Sequence, residues 1–109
     1  LFKEKKILAK VRRPKRKKRV PRTPLERIEL NQLKLVAIVL AKSGNRAMVE
    51  ESSGKGYIIA KGTYIGTNAG RVITIDRHKV IVAEEFEDVT GNVKIRKTEL
   101  KFPKPPGEL

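Results

Sequence analysis

His78, the acids Glu84, Glu85, Glu87 and Asp88, and the glycines Gly54, Gly56, Gly62, Gly66 and Gly70 are the residues whose types and spacing invite a chemical reading. His78 is the sole histidine, set in Asp76-Arg77-His78-Lys79 among hydrophilic neighbours. It lacks the co-ligands a metal needs and a nearby nucleophile for a triad, so it reads as an exposed turn residue. Calcium would want the acidic oxygens wrapped around a loop with a glycine turn. Here they continue a β-branched run, where neighbours point to opposite faces, so they read as a solvated strand end. Such an end could still supply the acidic half of an electrostatic contact. Gly54-x-Gly56 and Gly62-x-x-x-Gly66 miss the phosphate-loop spacing, and no long helix follows to lend its N-terminus. Gly56 and Gly70, each before apolar strand residues, read as tight-turn positions with positive φ. No catalytic, cofactor or metal site emerges, and function must lie in surfaces and partners.

Charge is distributed unevenly. Residues 1–24 hold 12 of the 26 Lys and Arg against Glu4 alone, a net +11, which leaves 14 basic against 11 acidic side chains beyond them. The high pI therefore belongs mostly to an N-terminal arm. Its densest part carries Arg12, Arg13, Lys15, Arg16, Lys17, Lys18, Arg19 and Arg22, interrupted by Pro14 and Pro21. Self-repulsion and missing backbone donors predict a disordered, extended tether over residues 1–22. A run this basic suits nucleic acid through counterion release, anionic lipid, or simple solvation. Base stacking would need interleaved aromatics, and the arm has only Phe2. Taken alone, the arm leans slightly toward nucleic acid.

The chain has no cysteine, which excludes disulfides and Cys-based zinc sites. No apolar run approaches the roughly 18 residues of a membrane span. It opens at Leu1, so a leader or anchor is expected to lie upstream.

Thr23-Pro24-Leu25-Glu26 opens the folded part with a capping-box pattern and proline at the first helical position, which fits a short helical turn. Residues 33–40 (LKLVAIVL) form a strand, apolar on both faces from Val36 and therefore suited to a central position. Further strands are predicted at 46–50, 56–61, 71–76, 79–87 and 93–102, with a short connecting strand at 63–65. Turns fall at Ser43-Gly44-Asn45, at 52–54, at 76–78 and at Thr90-Gly91-Asn92. Strands at this spacing predict an all-β fold, a small antiparallel β-sandwich of about six or seven short strands over residues 23–102. Residues 103–109 read as a disordered tail.

The order of these pieces carries a family resemblance. Thr23-Pro24-Leu25-Glu26-Arg27, Leu30-x-x-Leu33-Lys34-Leu35-Val36, Ala47-Met48-Val49-Glu50, Gly54-Lys55-Gly56-Tyr57-Ile58, Gly62-x-Tyr64-Ile65-Gly66, Gly70-x-Val72, Ile75 and Val80-x-Val82 together resemble the PilP family of the type IV pilus alignment complex. The likeness runs from Pro24 to Phe102. It implies a β-sandwich distantly similar to the homology region of the secretion protein GspC, without catalysis, cofactor or small-molecule substrate. It further implies a lipidated anchor in the inner membrane, a linker bound to the PilN–PilO pair, and a periplasmic domain touching the N-terminal domains of the secretin PilQ. The arm is more basic than the resemblance requires. By analogy with the secretion domain, Leu33, Lys34, Leu35 and Val36 form the candidate edge for strand addition by the secretin. The competing class is a ribosome- or nucleic-acid-associated β-barrel with a basic extension, which predicts strongly salt-dependent RNA binding.

Overall fold

The computed structural model describes residues 20–103, so the expectations for residues 1–19 and 104–109 lie outside the described residues. Seven strands follow two short 3-10 turns at Pro24–Arg27 and Leu30–Gln32. They are β1 (Leu33–Val39), β2 (Arg46–Glu51), β3 (Gly56–Ala60), β4 (Tyr64–Ile65), β5 (Gly70–Ile75), β6 (Lys79–Glu87) and β7 (Val93–Lys101). The first three form one antiparallel sheet in the order β1-β2-β3, and the rest form a second in the order β4-β5-β6-β7. There is no α-helix among the described residues.

Period-two alternation explains the layering. β6 points Val80 and Val82 inward, and cross-strand pairing sets Leu100 opposite Val80 on β7. The facing sheet contributes Leu35, Val49, Ala47 and Ile59, all buried. The leucine, isoleucine and valine side chains among them each gain about 1.5–3 kcal/mol by leaving water, and that sum holds the two layers together. Leu25 and Leu30, carried by the 3-10 turns, close one end of the core. The Gly66 N–H donates to the Leu25 carbonyl at 2.9 Å, tying the first turn to β4.

Turn chemistry fixes the hairpins. The Asp76 carboxylate accepts the N–H groups of His78 and Lys79 at 2.8 and 2.9 Å, closing the β5–β6 turn. Gly44, Gly54, Gly62, Gly66 and Gly91 take positive φ. Gly56 and Gly70 do not, contrary to the sequence expectation. Gly70 is instead required by crowding, because a Cβ there would press on the Ile65 carbonyl oxygen and come within 3.0 Å of Val82 Cγ1.

A second correction concerns residues 33–40. The strand is not central; β1 is an edge of its sheet, and Val36, Val39 and Leu40 are exposed. A β-bulge between Leu35 and Ala37 shifts the register by one residue. Leu33 and Leu35 point inward before it and Ile38 packs on the core after it. The unbroken apolar run records this phase change, not burial on two faces.

Candidate functional site

The four residues expected at the docking edge all lie on β1, but they divide by face. Leu35 is 1% exposed and Leu33 is buried, so neither side chain can touch a partner. Lys34 and Val36 are exposed. What this edge offers is therefore backbone, one cation and one valine at the bulge.

The sequence reading missed the outer surface beside that edge. Cross-strand pairing lines up Ala37, Met48 and Ile58 across the sheet, with Val39, Arg46 and Ala60 in the next outward row. Ile58 and Val39 are each 59% exposed. The Met48 sulfur would lie 3.5 Å from a Cβ built on Gly56, so the glycine gives this flexible side chain room on the outer face. The apolar residues on both sides of 36–40 were the available signal.

The opposite sheet ends in a different kind of edge. β7 bears Lys94, Arg96, Lys97 and Lys101 against Glu99, and Val93–Lys97 are all exposed. Lysine-rich edges discourage strand addition. β1 has Lys34 as its only cation, and its guard is the bulge between Leu35 and Ala37. Of these two long edges, β1 is the less charged.

Of the basic arm residues, Arg22 is described and exposed, while Arg12, Arg13, Lys15, Arg16, Lys17, Lys18 and Arg19 lie outside the described residues. The point where the arm meets the domain is built firmly. Glu26, buried in the first 3-10 turn, accepts the N–H groups of Arg22 and Thr23 at 3.1 Å each and the Thr23 hydroxyl at 3.0 Å. The carboxylate half of the anticipated capping box thus also orders the incoming chain. An open cleft of about 260 Å³ lies beside it, lined by Pro24, Leu25, Tyr57, Ile58 and Tyr64. Glu26 is its one carboxylate and is engaged in the cap, so the lining offers no general base.

The acidic run is not a uniformly solvated strand end. Glu84 is 4% exposed because the β6 alternation turns it to the same side as Val80 and Val82. It accepts from Arg96 Nε at 3.1 Å, Arg96 Nη2 at 2.9 Å and the Thr98 hydroxyl at 3.2 Å. The Arg96 guanidinium also stacks 5.1 Å from the Phe86 ring centre. Asp88 closes the β6–β7 loop by accepting the Thr90 N–H and hydroxyl and the Asn92 N–H. His78 is exposed, as its turn setting suggests. Among the described residues, no group of histidines and carboxylates converges as a metal requires.

The Asp88 carboxyl is held below its ordinary value, first by the Thr90 hydroxyl and next by the Asn92 N–H. The unfolded chain's aspartates titrate near about 3.9, so this contribution is complete above that pH and fades as pH falls through the lower native value. The Thr90 and Asn92 amide resonances are expected to shift together as pH is lowered below about 4, following Asp88 protonation. Amides that stay fixed down to about pH 2 would show that the carboxylate does not latch the loop.

Comparison with known proteins follows the same lines. The family model described as "Pilus assembly protein, PilP" matches residues 2–102. The solution structure of PilP from Pseudomonas aeruginosa superposes with a TM-score of 0.73 at 24% identity, covering 90% of this chain and 87% of that one. A domain of the PilP pilot protein from Neisseria meningitidis gives 0.66 at 27% identity, covering 89% of this chain and 84% of that one. A domain of the type IV pilus biogenesis lipoprotein PilP from Pseudomonas aeruginosa gives 0.64 at 26% identity, covering 76% and 94% respectively. No curated protein sequence matches the chain. With two antiparallel sheets of three and four strands and a family match across nearly its whole length, this chain belongs to the PilP family and has a role in type IV pilus assembly.

Proposed function

We propose that this chain links the inner-membrane part of the pilus machinery to the outer-membrane secretin without doing catalysis. In this reading β1 accepts a strand from the N-terminal domains of the secretin PilQ, and residues 1–22 tether the domain to the PilN–PilO pair. The domain then works in the periplasm, attached to the inner membrane, in keeping with the lipoprotein nature of its Pseudomonas relative. The observation that carries the reading is the β1 edge, which has a single lysine and an apolar outer face beside it. Strand addition draws affinity from backbone hydrogen bonds and specificity from alternate side chains. Twenty-two extended residues span roughly 70 Å, a length suited to bridging layers.

Val36→Asp and Lys34→Glu test this directly, since both side chains are exposed and the core is untouched. Each is expected to weaken binding of a purified secretin N-terminal fragment by about tenfold or more, as loss of a central interface contact does. Melting temperature should hardly change. Wild-type affinity in both variants would remove β1 as the docking edge.

A further inference from the structure

β1 offers a docking strand less backbone than its length suggests. In the β2–β3 hairpin the Glu51 N–H donates to the Lys55 carbonyl at 2.9 Å, so Glu51, Val49 and Ala47 turn their backbone groups toward β3. Glu50, Met48 and Arg46 turn theirs toward β1, where they face Lys34, Ala37 and Val39. The groups left at the free edge are those of Leu33, Leu35 and Ile38. The Leu33 N–H is already given to the Leu30 carbonyl. The bulge sets Leu35 and Ile38 three residues apart where a regular strand needs two, so one straight strand cannot pair with both. Before the bulge there remain the Leu33 carbonyl and the two groups of Leu35. They can set a partner's register but leave most of its affinity to side chains.

The bulge that shortens the ladder thickens the outer face of the same sheet. Val36 and Ala37 together stand opposite Met48, where a regular pair would place one residue, and Ile58 follows on β3. Val39 and Ala60 continue the apolar ground toward the β1–β2 loop, on either side of Arg46. Three strands about 4.8 Å apart, apolar over about four residues of length, make a patch roughly 14 Å square. That is about 200 Å², against the about 800 Å² that each side of a stable complex buries. A second copy stacked on this face alone would fall well short. Beside an occupied β1 edge, however, the patch is continuous with an interface. Its dimensions match two to three turns of one helix, about 10 Å across.

Charge distinguishes the two ends of the patch. Toward the β1–β2 loop stand Lys42, Arg46 and Lys61, all exposed and without an ion pair among the described residues. Asp76 is brought to that end by the Asn45 bond to the Ile75 carbonyl, but its carboxylate is closed on its own turn. At the other end Lys34 stands opposite Glu50 and Lys55 opposite Glu51, so charge balances there. We infer that one helix of the partner lays its apolar face across Val36, Ala37, Met48 and Ile58, beside the strand that β1 accepts, with its acidic residues at the Arg46 end. This rests on the β1 reading and completes that site. The strand sets register, and the helix supplies affinity and, through Arg46, orientation.

Ile58 is the discriminating position, because β3 lies about 10 Å from β1 and out of reach of a strand added at the far edge. Ile58→Thr in the full chain is expected to weaken binding of the purified secretin N-terminal fragment by about tenfold, as loss of a central contact does. Its melting temperature should not change. Arg46→Glu should also weaken binding and flatten its dependence on salt. In an NMR titration of the wild-type chain, the Met48 and Ile58 methyls are expected to show contacts to fragment residues spaced three and four apart in a helix. Slowed exchange of the Leu35 N–H reports strand addition separately. A protected Leu35 N–H with silent methyls, and wild-type affinity in Ile58→Thr, would overturn the helix and leave strand addition standing. Moved methyls with an unprotected Leu35 N–H would overturn strand addition and uphold the face. Contacts to a strand or loop of the fragment would overturn the helix as occupant. So would methyl shifts that follow only the chain's own concentration, since they would assign the face to a second copy.

Discussion

Gly70→Val is expected to lower folding stability by about 3 kcal/mol or more, the upper range for forcing volume into a packed site. Gly70 begins β5 and pairs with Ile65, the buried end of the two-residue strand β4. The obstruction is a backbone carbonyl held by this pairing, and Val82, at the centre of the core, blocks the other side. Neither can swing away as a surface side chain could. Gly54 is the internal control: it has φ +95 but nothing within 4 Å of an added Cβ. Gly54→Ala should therefore lose only the conformational preference, about 1 kcal/mol. Urea unfolding of both variants checks the order. Equal, small losses would mean that the contact between β4 and β5 can open without cost.

Leu35→Ala is expected to cost about 3 kcal/mol, within the range for a buried leucine truncated to alanine. Leu35 pairs with Val49 and is among the most buried large side chains. The consequence for function is specific. Under the proposed docking at β1, Leu35→Ala should reduce secretin binding only to the extent that the domain unfolds, and binding per folded molecule should match wild type. Val36→Asp, one residue on, should do the reverse. Thermal unfolding alongside binding at low temperature separates the two. A folded Leu35→Ala domain that fails to bind would mean that the β1 backbone is displaced by the cavity.

Strand periodicity was legible wherever one face met water and the other met the core. Residues 79–87 alternate cleanly, and β6 occupies the same range. The 3-10 turn at Pro24–Arg27 was announced by Thr23-Pro24 and Glu26. Position within a sheet was harder to read. An apolar run looks the same whether a second strand covers it or the strand stands at an edge, so β1 read as central until its neighbours were known. The Val36 bulge was hidden for a related reason: one inserted residue makes inward and outward positions overlap in the sequence. Glu84 was misread because composition suggested solvation, although its spacing from Val80 and Val82 already placed it inside. At the candidate site, Lys34 and Val36 fell on the exposed side of β1. The same two-residue spacing assigned Leu33 and Leu35 to the core, and could have separated the pairs from the start.

The closure of Arg22 and Thr23 onto Glu26 has a mechanical meaning. A pull on Arg22 acts on the buried Glu26 carboxylate, and the same 3-10 turn is bonded to Gly66 through the Leu25 carbonyl. Part of such a load is therefore passed to Gly66 before it runs along the chain into β1. If β1 docks a secretin strand and the preceding residues tether the domain, as proposed, the Glu26 turn shares the load with that edge.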